Sequence, residues 1–245
     1  MRRTVILCAL LGLLAGSAVH GESLTRAQVV EKLAAGATDL SNLEAPAVDL
    51  SGLDFTGVKL FGANLKGANL SNAKLVRANL DVAILRDVTA FNADLREASV
   101  FSSVLADATL RGADLRGARL MGNLEGANLE GASLQNVKGA ADMRNQPMGL
   151  IRLVLSRAKL KGAKLNDADL ARVDLSYADL RDADLSNVNL TRAKLVGTDF
   201  TGANLQGVTL DGADIDSAIF SGALALDSVR GMESTTNRDR AVFDR

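Results

Sequence analysis

The stretch LFGANLKGANLSNAKLVRANLDVAIL, residues 60–85, places a leucine at every fifth position: Leu60, Leu65, Leu70, Leu75, Leu80 and Leu85. Ala63, Ala68, Ala73, Ala78 and Ala83 each stand two places before the next leucine. Neither a helix nor a plain strand has that period. Two inward residues separated by one outward residue make a short piece of strand, because alternate side chains share a face. The remaining two residues of each five must then turn a corner. Gly67, Gly112, Gly117, Gly162 and Gly202 occupy the second corner place, where a positive φ costs glycine little. Asn72, Asp87, Asp107, Asp167, Asp182 and Asn187 take the same place elsewhere, and these are the next most tolerant types.

So short an edge cannot bury its leucine alone. Successive coils must stack, pairing backbone groups at about 4.8 Å and lining up the leucines inside. The alanines follow from the same geometry, since converging edges leave no room for a second large side chain. Period five alone leaves open whether a coil has three edges or four.

The strings GANLKGANLSNAKL (62–75), GADLRGARL (112–120), DADLARVDLSYADLRDADL (167–185) and GTDFTGANL (197–205) resemble the pentapeptide-repeat family. The resemblance covers residues 38–225 and implies an all-β fold, a right-handed quadrilateral parallel β-helix with four pentapeptides per coil. About nine coils and a rod about 45 Å long are then expected.

The step of five slips by one at MGNLEGANL (121–129), so that the inward residues become Leu124, Leu129 and Leu134, and then fails until Leu150 or Leu155. KGAADMRNQPMG (138–149) reads as a loop leaving one corner of the rod, either functional or a tolerated insertion. Before the repeats, residues 22–37 hold Thr25 and Gln28 at capping-box spacing, followed by VVEKLAAG. This predicts a short amphipathic helix that ends at Gly36 and covers the open end of the leucine ladder. Residues 226–245 are polar and read as a cap or a loose tail.

Residues 1–21, MRRTVILCALLGLLAGSAVHG, have the order of a secretory signal peptide: Arg2 and Arg3, an apolar run from Val5 to Ala15, then small residues. The run is shorter than the roughly 20 residues of a membrane span. Cleavage after Ala18 or after Gly21 fits equally, by the general or the twin-arginine pathway. The expected location is therefore periplasmic, secreted or an equivalent lumen, with no stable membrane insertion after cleavage. With residues 1–21 removed, the only cysteine, Cys8, and the only histidine, His20, are gone, and the net charge moves from −1 to −3 on loss of two arginines. Disulfides, Cys/His zinc sites and imidazole-based triads are excluded for the remainder, and no cofactor, catalytic residue or metal ligand is expected.

Asp169, Asp174, Asp179 and Asp184 all precede an inward leucine. On a four-sided coil they ring the rod instead of converging, and stacking sets Lys159 by Asp179, Lys164 by Asp184, and Lys194 between Asp174 and Asp214. Cross-strand charge pairing is the expected role, because calcium needs about six or more converging oxygens. Phe61, Phe101 and Met121 recur at multiples of twenty, with Asp81 between the first two. They form a candidate apolar side, and Met143, Arg144 and Met148 of the loop are the other candidate interaction residues.

The function expected is non-enzymatic: an exported interaction or scaffold protein with an unidentified protein partner, a second copy of the chain being one candidate and nucleic acid none. The family resemblance also implies an alternative, since some members bind DNA gyrase as duplex mimics. The export signal and the mixed outward charges depart from that pattern. A carboxylate-only enzyme is the third reading, and a convex rod offers no cleft for its paired acids.

Overall fold

A computed structural model describes residues 22–140 and 151–244. The chain winds as a right-handed quadrilateral β-helix. Each outward residue before an inward leucine forms a parallel bridge to the residue twenty positions on: Asp39 to Lys59, Lys59 to Asn79, Asn64 to Ile84, Asn69 to Thr89. A spacing of twenty with a period of five makes the coil four-sided. The inward column that starts at Leu40 runs through Leu60, Leu80, Val100 and Leu120 to Gly139, then through Leu170 and Leu190 to Leu210. Leucines and alanines of all four sides form one continuous core.

Two interruptions alter the spacing without breaking the stack. At Met121 and Gly122 the corner has lost one residue, and bridges shorten to nineteen, as in Thr109 to Asn128. There the corner opens into extended backbone: β1 (Ser99–Val104) pairs in parallel with β2 (Arg119–Asn123), Ser102 bulging where β2 has no counterpart. Gly122 makes this contact possible, since a Cβ there would press on the Ser103 carbonyl and lie 2.9 Å from the Ser103 nitrogen. In the next coil Asn123 bridges Val154, a spacing of 31, so the insert adds eleven residues to one corner.

The insert disturbs the core in a compensated way. Gly139 occupies an inward place held by leucine, or by Val100, in the other coils of its column, and Leu153 occupies the place of the small alanine. A Cβ on Gly139 would approach Leu153 Cδ2 to 2.8 Å and Leu170 Cδ2 to 3.0 Å. Leu153, fully buried, therefore fills the space that Gly139 leaves empty.

Both ends are closed. Helix α1 (Arg26–Ala34) starts from a capping box in which the Gln28 N–H donates to Thr25 Oγ1 at 3.4 Å and the Thr25 N–H to Gln28 Oε1 at 2.7 Å. The Arg26 guanidinium donates to the carbonyls of Asp49 (2.7 Å) and Ser51 (3.0 Å). Their counterparts one coil on, Asn69 and Ser71, accept from the Leu50 and Gly52 N–H groups. Arg26 thus replaces the coil that the first coil lacks. At the other end, Arg230, Thr236 and Val242 bridge Thr209, Asp214 and Ile219. Each side of this last coil is six residues long, with short 3-10 turns at Leu226–Ser228, Met232–Ser234 and Arg238–Arg240. Phe200, Phe220 and Phe243 stack at 5.1 Å centroid spacing down one column and close it.

Candidate protein-interaction edge

The corner between the columns of Leu60 and Leu65 carries residues 61–62, 81–82, 101–102 and the single residue Met121 in successive coils, then the insert, then 171–172, 191–192 and 211–212. This insert edge unites the two candidate groups, because the chain enters the insert after Ala140 and returns at Ile151 on the same corner as Phe61 and Phe101. Met143, Arg144 and Met148 lie outside the described residues.

Phe61 is 46% exposed. Phe101 is half-buried beneath Arg119, whose guanidinium carbon sits 4.0 Å from the ring centroid. Met121 differs from the expectation of a shared exposed stripe, being only 3% exposed. It pairs in register with Phe101, but the missing residue straightens its corner into β2 and draws its side chain into covered ground. The stripe is instead completed by two residues that period counting overlooked, Val82 (47% exposed) and Ile84 (44%). Together with Phe61 and Phe101 they form an apolar patch in the early coils. Val82 sits at φ 62°, where steric crowding disfavours a β-branched residue. Glycine, Asn and Asp dominate that place elsewhere, so the valine is the signal a sequence reader could have used.

Asp81 organises the patch from within. Its carboxylate accepts from the Phe101 N–H (2.9 Å) and the Ser99 hydroxyl (2.6 Å), with Arg119 at 3.8 Å. The apolar side chains thus stand on a hydrogen-bonded corner instead of a loose loop.

The acidic residues have another role than cross-strand pairing alone. The Ala171, Ser176, Arg181 and Ser186 N–H groups donate to Asp169 (3.4 Å), Asp174 (3.0 Å), Asp179 (3.1 Å) and Asp184 (3.1 Å). Each acid therefore fastens the corner that follows it, as Asp and Asn side chains do in turns. Stacking is as expected, with Lys159 bridged to Asp179, Lys164 to Asp184, and Lys194 to both Asp174 and Asp214. Lys194 reaches Asp174 at 3.8 Å, but Asp179 is gripped by Arg181 at 2.6 and 2.8 Å. Those Arg181 hydrogen bonds hold the Asp179 carboxyl below the usual range, and Arg96 and Arg116 do the same for Asp94 and Asp114. Among the described residues no group of three or more His, Cys, Asp or Glu side chains could hold a metal ion. No helix among them is long and apolar enough to cross a membrane.

The pentapeptide-repeat family model matches residues 37–75, 63–100, 93–138, 154–192 and 183–222. The chain belongs to the pentapeptide-repeat family. The matched segments stop on either side of the insert. Among solved structures, the chain is similar to HetL of the cyanobacterium Nostoc sp. strain PCC 7120, a pentapeptide repeat protein involved in heterocyst differentiation regulation: 26% identity, 89% of this chain and 94% of that one, TM-score 0.40. Rfr23 of Cyanothece 51142 shares 29% identity over 49% of this chain and 90% of its own, TM-score 0.24. QnrB1, a plasmid-mediated fluoroquinolone resistance protein, shares 14% over 84% of this chain and 89% of its own, TM-score 0.33. No match was found among curated proteins.

Proposed function

We propose that this pentapeptide-repeat protein acts outside the cytoplasm as a non-enzymatic interaction module whose insert edge docks a protein partner. The observation that carries the reading is the coincidence on one corner of Phe61, Val82 and Phe101, with Ile84 on the adjoining face, and the insertion point of the eleven-residue insert. Val82 holds an exposed apolar side chain at positive φ, and strained, exposed apolar residues are a mark of binding surfaces. The arrangement supports binding over catalysis, because the outward acids discussed above are committed to their own corners. Export rests on residues 1–21, whose charge, apolar run and small residues follow the signal-peptide order.

The test uses the full-length chain with a C-terminal tag in a bacterial host, with cell fractionation, intact mass and affinity capture from each fraction. Support is loss of the first 18 to 21 residues, location in the exported fraction, and a captured protein that Phe61→Ser/Val82→Asn loses and Phe91→Ser on the far edge keeps. An uncleaved cytoplasmic chain, or capture indifferent to the first variant, would overturn it. A supercoiling assay then decides whether gyrase is the target.

A further inference from the structure

Beyond the insert, the same edge changes chemistry. Arg152, Arg172 and Arg192 stand one above another, each two places before the bridged residues Val154, Asp174 and Lys194. The Arg172 N–H donates to the Thr191 carbonyl (2.9 Å) and the Arg192 N–H to Asp211 (2.8 Å), so rigid backbone holds this register. With Lys194 the three arginines line a surface hollow of ≈ 360 Å³. Like charges stacked at a coil spacing of about 4.8 Å repel one another and are destabilising for the fold.

Several arginines of the rod are neutralised locally, whereas Arg77 and Arg86, among the described residues, stand unpaired but singly. Arg96, Arg116 and Arg181 occupy the first corner place and fold back on Asp94, Asp114 and Asp179, two residues earlier. Arg172 and Arg192 occupy the second corner place at φ 66° and 56°, one residue further from the outward residue before the corner, which is Asp169 for Arg172 and the uncharged Asn189 for Arg192. Arg157, also at a second place, is rescued by Glu125 of the adjoining coil at 3.4 Å. The adjoining corners of the arginine column offer Ala171 and Thr191 instead. The neighbouring acids are engaged elsewhere: Asp174 by Ser176 and Lys194, Asp211 by Ser234. Among the described residues none of the three arginines has a carboxylate oxygen within 4.0 Å.

We infer that this column is a binding site for an extended acidic polypeptide segment lying along the insert edge. The site deepens the proposed interaction function, resting on that reading for its setting, and names the chemistry of the partner. Two coils span about 10 Å, the length of about three residues of extended chain at 3.3 Å each, so two or three carboxylates of an acidic run meet three guanidinium forks. The cationic strip is one corner wide, with Asp174 and Asp214 on the adjoining face. It suits a single thin chain better than the broad phosphate surface of a duplex, which calls for an extensive basic face.

The test measures fluorescence anisotropy of a labelled octaglutamate peptide with the purified full chain, against Arg172→Gly/Arg192→Gly. Glycine suits the positive φ at both places, so this variant removes charge without threatening the fold, as a melting curve verifies. The inference predicts saturable binding that weakens with salt and falls at least about ten-fold in the variant, with octaglutamine not binding and Phe61→Ser/Val82→Asn binding normally. Absence of binding, equal binding by the variant, or at least ten-fold tighter binding of polyphosphate or single-stranded DNA of matched charge would overturn it. Because the probe avoids the apolar patch and the export step, failure here leaves the proposed function standing, and loss of that function leaves this result readable.

Discussion

The exchange of sizes between Gly139 and Leu153 offers a sharp test of how the insert is accommodated. Every other coil of that column described above places a large residue where Gly139 stands, and Leu153 replaces the usual alanine. Leu153→Ala removes a fully buried side chain opposite a glycine, so nothing nearby can refill the space, and about 2–5 kcal/mol is expected. Gly139→Leu forces atoms into a site where even a Cβ lies 2.8 Å from Leu153 Cδ2, which costs about 1–3 kcal/mol or more. The double variant restores the family pattern of leucine and alanine. Its destabilisation should fall well below the sum of the singles, with a coupling at the upper part of the roughly 0.5–3 kcal/mol seen for contacting residues. At about 2–4 °C per kcal/mol for a chain of this size, Leu153→Ala alone lowers the melting midpoint by about 4–20 °C. Thermal and urea unfolding followed by circular dichroism measure all four proteins. Additive effects within about 0.5 kcal/mol would refute the argument, because they would mean that the two sites do not share one volume.

Val82→Asn relieves a β-branched residue at positive φ and should stabilise by about 1 kcal/mol in a melt, while weakening partner capture. Arg26→Ala leaves two end-coil carbonyls to water and should cost about 1 kcal/mol, with faster amide exchange confined to the first coil. Phe220→Ala breaks the closing ring stack, and about 3–5 kcal/mol is expected, with the last coil losing protection first. The carboxyls of Asp94, Asp114 and Asp179 are lowered in the folded chain, so their stabilisation is complete above the unfolded value of about 3.9 and lost as pH falls through the lowered values. Stability should therefore be flat from neutral pH down to about 5 with respect to these groups and decline below about 4, and Arg181→Gln should weaken that decline.

The leucine ladder, the alanines beside it and the corner glycines were legible from local spacing, because each depends on neighbours within one pentapeptide. So were the Thr25–Gln28 capping box and the place of the insert. The number of sides was not, since period five is compatible with any closed polygon, and the family resemblance supplied it. What escaped reading depends on which residues of different coils meet. The Gly139–Leu153 exchange can be recognised only once the eleven inserted residues are subtracted from the register. The column of Arg152, Arg172 and Arg192 keeps the ordinary spacing of twenty after the insert and was overlooked because attention rested on the acids and the apolar residues. Met121 was misplaced because one missing residue turned its corner into β2, and Val82 because a period of five draws attention to inward places. Residues 226–243 read equally as cap or tail, since their hexad period differs from that of the body. The acids were read as charges, whereas their main task is to accept the N–H two residues on.

The most direct test of the insert edge as the working surface is site-specific photo-crosslinking in living cells. A photoreactive amino acid is placed singly at Phe61, at Val82, and on the far edge at Ser71 and Phe91, and the products are resolved by denaturing gel and mass spectrometry. The account predicts one discrete protein adduct from Phe61 and Val82 and none from Ser71 or Phe91. Equal adducts from both edges, or adducts from the far edge alone, would contradict it.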